Sequence, residues 1–250
     1  MVHFVGAGPG APDLITLRGR RLLETADVII YAGSLVNPEL LNCAKEGCQI
    51  HNSAYMDLDQ VIDVMKQSEE AGRTTVRLHT GDPSVYGAIR EQIDRLKAAG
   101  ISYDVCPGVS SFFGAAASLG CEYTLPEVSQ SIIITRMAGR TAVPDRESVR
   151  SFAAHQATMI LFLSVGMIED VVRELTEGGY QPDTPAAVVY KATWEDEKIV
   201  RAPLDRLAEQ VNAAGIQKTA LIIVGKVLGD DYALSKLYDK HFTTEYRTGV

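Results

Sequence analysis

The sequence lacks paired cysteines, an excess of positive charge and any long apolar run, and each absence closes off a class of protein. Its four cysteines, Cys43, Cys48, Cys106 and Cys121, show no CxxC spacing, and its five histidines (His3, His51, His79, His155, His241) lie far apart. Metal ligands tend to come in closely spaced pairs, so no metal site is expected. The thiols read as small apolar fillers in a reducing compartment. Lysine and arginine number 24 against 32 aspartates and glutamates, a net charge of −8. That balance argues against DNA or RNA as a partner, because general nucleic-acid binding needs a cationic footprint, whereas a local basic cluster still suits an anionic small molecule. No apolar stretch reaches membrane-spanning length, and Met1-Val2-His3-Phe4 runs straight into glycines without the basic and apolar regions of a signal peptide. A cytosolic protein without a membrane partner is expected.

Hydrophobic residues make up 46% and charged residues 22% of the 250, ordinary globular values that fit one large domain or two small ones. The most informative stretch is TTVRLHTGDPSVYG, Thr74 to Gly87. Thr75, Val76 and Leu78 favour a strand, which Thr80, Gly81, Asp82 and Pro83 stop abruptly, with a helix expected from near Val85. Gly81 removes a side chain where a ligand approaches the backbone, and Asp82 adds a carboxylate that accepts hydrogen bonds from hydroxyl or ammonium groups. In open α/β sheets ligands gather at the carboxyl ends of strands, so this loop is a candidate binding edge. The plainer alternative is an Asp-Pro turn that holds the next helix.

Similar units recur along the chain. Val2 to Val5 reads as a strand that breaks into Gly6-Ala7-Gly8-Pro9-Gly10-Ala11-Pro12, followed by leucines at helical spacing with Thr16 as cap. The glycines match the loose dinucleotide fingerprint, but Pro9 and Pro12 each remove an amide that a pyrophosphate needs, and no acidic residue ends the second strand, since Val28-Ile29-Ile30 leads to Tyr31 and Ala32. A nicotinamide site is therefore not expected. Further strands are expected at Gln49–Asn52 and Ser102–Val105, with helices carried by Leu58 to Met65 and by Ile89 to Leu96. Strands alternating with helices imply a parallel sheet. Cys106-Pro107-Gly108-Val109-Ser110-Ser111 repeats the pattern of strand end, small residues and helix start, with the serines either binding a ligand or simply capping the helix.

The irregular stretch from Glu122 to Ser129 marks a domain junction. Beyond it, strands are expected at Ser131–Thr135, Met159–Leu163, Ala186–Tyr190, Lys198–Arg201 and Ala220–Val224, and helices at Glu147–Ala154, Ile168–Glu177 and Leu204–Ala214. Arg136 and Arg140 flank Gly139 in a loop; each guanidinium suits a carboxylate, though a solvated surface loop has the same composition. The tail after Gly229, with Tyr232, Tyr238, Phe242 and Tyr246, is polar and aromatic and suits covering the body or a second subunit.

With these loops assembled, the chain resembles the tetrapyrrole methyltransferases, which use S-adenosylmethionine in a fold other than the Rossmann methyltransferase fold. The likeness covers nearly the whole length through five stretches in order: VGAGPGAPDLITLRG, RLHTGDPSVYG, CPGVSSFFGAAASLG, LFLSVGM and TALIIVGKV. Within the family, YAGSLVNPEL and LPEVSQSIIITRMAGRTAVP look like the precorrin-4 C(11)-methyltransferases of cobalamin synthesis.

The resemblance implies two α/β domains, residues 1–120 with a mostly parallel sheet and 121–250 with a mixed one, a cofactor cleft between them, and a homodimer. It places Pro9, Thr80, Gly81, Asp82, Val85, Ser110 and Ser111 around S-adenosylmethionine, and Val165 or Met167 with the Ala220-Leu221 backbone around its adenine. The implied activity is methylation of precorrin-4 or cobalt-precorrin-4 at ring carbon 11. Arg18, Arg136 and Arg140 are candidates for the substrate carboxylates, with Tyr31 and Ser34 touching the ring. No catalytic side chain is assigned, since alignment alone supplies roughly 7–11 kcal/mol in reactions of this kind. Relatives that methylate uroporphyrinogen carry an acidic residue just after the tyrosine matching Tyr31, where this chain has Ala32, which weakens any proposal of the same general base. The alternatives are methylation of another acceptor, such as uroporphyrinogen III, a modified protein histidine or RNA ribose, and a non-enzymatic nucleotide- or tetrapyrrole-binding module.

Overall fold

The computed structural model describes residues 1–250. Two compact units emerge, one of Met1–Ala115 with Lys191–Glu197 and one of Ala116–Tyr190 with Lys198–Val250. The first contains β1 (Val2–Gly6), α1 (Leu17–Thr25), β2 (Val28–Tyr31), β3 (Gln49–Asn52), α2 (Leu58–Glu70), β4 (Thr75–His79), α3 (Ile89–Ala98) and β5 (Tyr103–Cys106), and α4 (Ser111–Leu119) begins in it. Its sheet runs β3-β2-β4-β1-β5 with every pair parallel. Parallel pairing demands long crossovers and coverage of both faces, which explains why all five residues of β4 are buried. On one face Val5, Ile29, Val76 and Leu78 pack with Leu23 of α1 and Leu40; on the other Phe4, Val28 and Ile30 pack with Val61, Ile62 and Met65 of α2 and Leu96 of α3.

Local signals set the helix ends. The Thr16 hydroxyl accepts from the Gly19 amide at 3.1 Å, capping α1 as its sequence predicts. Asp57 and Gln60 form a reciprocal capping box on α2. The helix expected from near Val85 begins instead at Ile89. Tyr86 (φ 56°) and Ala88 (φ 49°) are left-handed, a conformation in which no helix continues, and Gly87 lies so close to Pro83 that a Cβ would stand 2.2 Å from its carbonyl oxygen. The Val85–Ile89 spacing mimics one turn of helix across what is a tight loop.

The second unit contains β6 (Ile132–Arg136), α5 (Val149–Ala153), β7 (Thr158–Phe162), α6 (Ile168–Glu177), β8 (Pro185–Tyr190), β9 (Lys198–Pro203), α7 (Leu204–Ala213) and β10 (Ala220–Val224). The order is β6-β7-β10-β8-β9, with β6 and β7 parallel and the other pairs antiparallel, a mixed sheet. Met159, Leu161, Val188, Ile222 and Val224 pack with Val171 and Leu175 of α6 and with Leu204, Leu207 and Val211 of α7. The helix expected over Glu147–Ala154 is split by Ser148, which caps α5 by accepting from the Ser151 amide, behind a short 3-10 turn at Asp145–Glu147. After Gly229 the tail forms only a 3-10 turn at Lys236–Tyr238 and leaves Leu234, Tyr238 and Tyr246 exposed. No helix is long and apolar enough to cross a membrane.

Candidate active site

In the first unit β1 lies between β4 and β5, so the loops leaving these three strands share the carboxyl edge of the sheet. The Ala7 amide donates to the His79 carbonyl at 2.7 Å, and Gly8 and Gly81 exchange both backbone hydrogen bonds, at 3.3 and 2.8 Å. The third loop enters through Gly108. A Cβ there would stand 2.2 Å from the Gly81 carbonyl oxygen and 2.7 Å from the Gly6 Cα; one on Gly6 would stand 2.5 Å from the Gly108 Cα. Only glycine fits at either position, so Gly6, Gly81 and Gly108 form a junction of bare backbone. Ser110 and Ser111 close it from the start of α4: a Cβ on Gly81 would lie 3.5 Å from the Ser110 Cα and 3.3 Å from the Ser111 nitrogen.

Asp82 locks this junction. One carboxylate oxygen accepts from the Gly108 amide at 2.8 Å, and the other accepts from the Ser84 amide at 2.8 Å and from the Ser84 hydroxyl. Partial burial alone would raise its pKa; the Ser84 hydroxyl and the Gly108 and Ser84 amides outweigh it and hold the carboxyl below the usual carboxylate range. Asp82 is thus an anion that ties the loop after β4 to the loop after β5, with a lone pair left on the oxygen that accepts from Gly108.

The loop after β1 meets three further elements. Asn37, in the loop after β2, donates its side-chain amide to the Gly10 carbonyl at 3.0 Å. From the Lys191–Glu197 segment, the Trp194 indole N–H donates to the Pro9 carbonyl at 3.2 Å, and the Thr193 hydroxyl accepts from the Ala11 amide at 3.0 Å. Gly114 of α4 stands against the Pro9 ring, where its Cβ would come within 2.7 Å. Pro9, Thr80, Gly81, Asp82, Ser110 and Ser111 are therefore brought to one edge, with half-buried Val85 further along the same loop as Asp82. Tyr31 ends β2, half-buried, its carbonyl accepting from the Ser53 hydroxyl at 3.1 Å; Ser34 is exposed in the following loop, and Arg18 is exposed on the first turn of α1.

The second unit gathers its own set. Ser164, fully buried, accepts from the Met137 amide at 2.8 Å and donates to the Phe162 carbonyl at 2.7 Å, joining the loops after β6 and β7. Val165 is buried and Met167 half-buried in a 3-10 turn there, and Gly166 lies so near the Gln217 carbonyl that a Cβ would stand 3.1 Å from it. Antiparallel pairing of β10 with β7 starts Ala220 and Leu221 at this same edge. Arg136 turns its guanidinium onto its own loop, donating to the carbonyls of Met137, Thr141 and Ala142 at 3.0–3.1 Å. It braces the loop on which Arg140 is exposed.

Thr193 and Trp194 carry no sequence signal of this placement beyond a lone tryptophan in a polar stretch between two strands, because nothing local links them to residues near the start of the chain. Gly6 and Gly108 are legible as loop glycines, but their mutual contact is not. The half-buried thiols of Cys43, Cys48 and Cys121 are pushed up by burial, so none stands ready as a thiolate nucleophile.

Residues 1–208 match the sequence profile of the Tetrapyrrole (Corrin/Porphyrin) Methylases. The chain is 60% identical over 247 residues to the cobalt-precorrin-4 C(11)-methyltransferase of Methanocaldococcus jannaschii, covering 98% of this chain and 95% of that protein. Among solved structures, the X-ray structure of a cobalt precorrin-4 methyltransferase, a cobalamin biosynthetic enzyme, superposes with a TM-score of 0.89 at 44% identity, covering 92% of this chain and 96% of that one. The uroporphyrin-III C-methyl transferase of Thermus thermophilus, solved with S-adenyl homocysteine, gives a TM-score of 0.76 at 29% identity, covering 91% and 92%.

Two substitutions test the junction by urea unfolding. Gly108→Ala forces a methyl into backbone and is expected to cost about 2 kcal/mol or more; Gly72→Ala, at φ +68° with nothing within 4 Å of its Cβ, costs only the left-handed penalty of about 1 kcal/mol. The opposite ranking would rule out close contact of the three loops. Asp82→Ala removes a carboxylate whose folded pKa lies below its unfolded one, so its stabilisation is complete above about pH 4 and fades as pH falls through the folded value. A loss of about 1.5–3 kcal/mol at neutral pH is expected, with the gap to wild type narrowing in acid; a gap independent of pH contradicts an ionised clamp.

Proposed function

Because the chain belongs to the tetrapyrrole methylase family, we propose that it is an S-adenosylmethionine-dependent C-methyltransferase that methylates precorrin-4 or cobalt-precorrin-4 at ring carbon 11, in cobalamin (vitamin B12) biosynthesis. Its two α/β sheets have the fold of that family rather than the Rossmann methyltransferase fold. The observation that best supports the reading from within the chain is the Gly6–Gly81–Gly108 junction with the ionised Asp82 clamped across it.

The side chains at that edge suit such a co-substrate. Asp82 complements a cationic group, Thr80, Ser110 and Ser111 offer hydroxyls to polar ends, and Pro9 and Val85 supply apolar cover. In the second unit we assign Val165 or Met167 and the Ala220-Leu221 backbone to the adenine. S-adenosylmethionine supplies an electrophilic methyl group on a sulfonium. The chain therefore needs no acid to activate it, and its task is to align methyl and ring carbon, worth roughly 7–11 kcal/mol in well-oriented reactions. Tyr31 and Ser34 are assigned to the macrocycle, and Arg18 and Arg140 to its carboxylates, with Arg136 shaping the loop that presents Arg140. We further assign a homodimer, using exposed apolar side chains of the tail such as Leu234 and Tyr238, and a cytosolic setting without nucleic-acid partners.

Methyl-labelled S-adenosylmethionine incubated with cobalt-precorrin-4, precorrin-4 and uroporphyrinogen III separates the possibilities by mass spectrometry. Methylation of either of the first two at carbon 11 is expected; label only in uroporphyrinogen, or no turnover with any of the three, refutes the assignment. Arg140→Ala is expected to raise the tetrapyrrole KM ten- to hundredfold, as for a lost charged hydrogen bond of about 1.5–3 kcal/mol, and to leave S-adenosylhomocysteine affinity unchanged; the reverse pattern takes Arg140 out of the substrate site. Trp194, the single tryptophan, is bonded to the Pro9 carbonyl and so reports on that loop. Saturable change in its emission is expected on adding S-adenosylhomocysteine, and binding by calorimetry with unchanged emission would count against Pro9 as a contact.

A further inference from the structure

The face of β4 that α2 and α3 cover carries Thr75, Arg77 and His79, each buried in a position where an apolar side chain would serve packing. Thr75 is satisfied, donating to the Ser68 hydroxyl at 2.7 Å. Arg77, 7% exposed, donates through Nε to the Gln92 side chain at 3.1 Å and through Nη1 to the Ile30 carbonyl at 3.2 Å. Both partners are neutral. Burial alone pulls its pKa down to about 10, so it remains a cation without a counter-charge. His79, 5% exposed, stacks on Phe4 with ring centroids 6.1 Å apart, and its Nε2 is buried with no hydrogen-bond partner. Burial, reinforced by the Arg77 charge, holds the imidazole neutral with a pKa of about 3.

Both residues line one cavity of about 290 Å³. Ala32, Leu35, Met56 and Val61 give it apolar walls, and Thr80 and Val85 join it to the loop after β4. Asp57 and Glu91 also line it, but both are exposed; Asp57 is occupied in capping α2, and neither contributes to the pKa of Arg77. A buried guanidinium and a buried unpaired imidazole nitrogen are each unfavourable alone. Lining the same cavity, together with the neutral polar side chains of Ser53, Thr80 and Gln92, they form the donor half of an anion site. A guanidinium fork matches the two oxygens of a carboxylate, and a neutral imidazole adds one N–H in its Nε2–H tautomer. The volume is below that of pockets that enclose whole drug-sized ligands, so it suits an arm of a ligand rather than a macrocycle.

We propose that this cavity is a carboxylate subsite in which Arg77 and His79 bind one carboxyalkyl arm of the tetrapyrrole substrate and thereby set which edge of the macrocycle meets the loop after β4. This deepens the methyltransferase reading and rests on it. A carboxylate is also present at the amino-acid end of the co-substrate. Thr80 and Val85, assigned above to the co-substrate, line the cavity, but Asp82, Ser110 and Ser111 do not, and Ala32 and Leu35 belong to the same loop as Ser34, which carries the assignment to the tetrapyrrole.

The test is imidazole nitrogen NMR on the intact protein, with uroporphyrin III as a stable tetrapyrrole octacarboxylate and S-adenosylhomocysteine as the second probe; the His79 signal is identified by its loss in His79→Gln. Uroporphyrin is expected to move the His79 Nε2 resonance and S-adenosylhomocysteine to leave it in place. Arg77→Gln is expected to weaken uroporphyrin binding, followed by porphyrin fluorescence, at least tenfold with unchanged affinity for S-adenosylhomocysteine. If Arg77→Gln does not fold, the wild-type resonance still decides. Movement by S-adenosylhomocysteine alone gives the subsite to the co-substrate and overturns the proposal. Uroporphyrin binding that leaves the resonance unmoved overturns the subsite but not the methyltransferase reading, whereas a wild type that neither binds uroporphyrin nor methylates a precorrin overturns both.

Discussion

Contact between bare backbones at the edge of a parallel sheet is the constraint on which the first unit depends. β1 is flanked by β4 and β5, and the loops leaving these strands approach so closely that a single Cβ at Gly6 or Gly108 would overlap its neighbour. Such proximity brings amide and carbonyl groups from distant parts of the chain within reach of each other, and Asp82 completes the arrangement by accepting from the Gly108 amide. The edge is therefore organised by contacts within the chain itself. Ordering costs already met in folding do not recur on binding, which is what an alignment-dependent reaction requires.

The charges follow a similar logic. A chain with a net charge of −8 repels a polycarboxylate at long range, so its cations must act at short range and in fixed positions. Arg136 turns inward to three carbonyls and stiffens the loop displaying Arg140. Arg77 is held by Gln92 and Ile30 under two helices, where low polarity strengthens whatever anion it meets.

Most of the architecture was legible because β-branched and apolar runs alternate with helical spacing over nearly the whole chain. Gln49–Asn52, Ile168–Glu177 and Ala220–Val224 have the bounds their sequences predict. Periodicity places a helix start near Val85 because it does not reveal the left-handed φ of Tyr86 and Ala88, which delay the helix to Ile89. Which loops carry glycines and hydroxyls was also readable; which atoms they meet was not. Thr193 and Trp194 reach the first glycine loop through tertiary structure alone, and Arg77 reads locally as one more residue of a strand. Its burial beside His79 depends on where α2 and α3 lie, information that is spread over the whole unit.

The clamp on Asp82 also bears on the chemistry. In the proposed reaction positive charge on the donor disappears as the methyl group moves, so an anion that interacts fully with it stabilises the ground state more than the transition state and slows the step. The Ser84 hydroxyl and the two backbone amides draw on the same carboxylate and moderate its field. Asp82 thus remains charged enough to orient a cationic group while most of its hydrogen-bonding strength holds the loops. The depressed pKa has the same origin: the groups that keep the carboxylate ionised are those that, in the proposed reaction, would keep it from gripping a cationic donor too tightly.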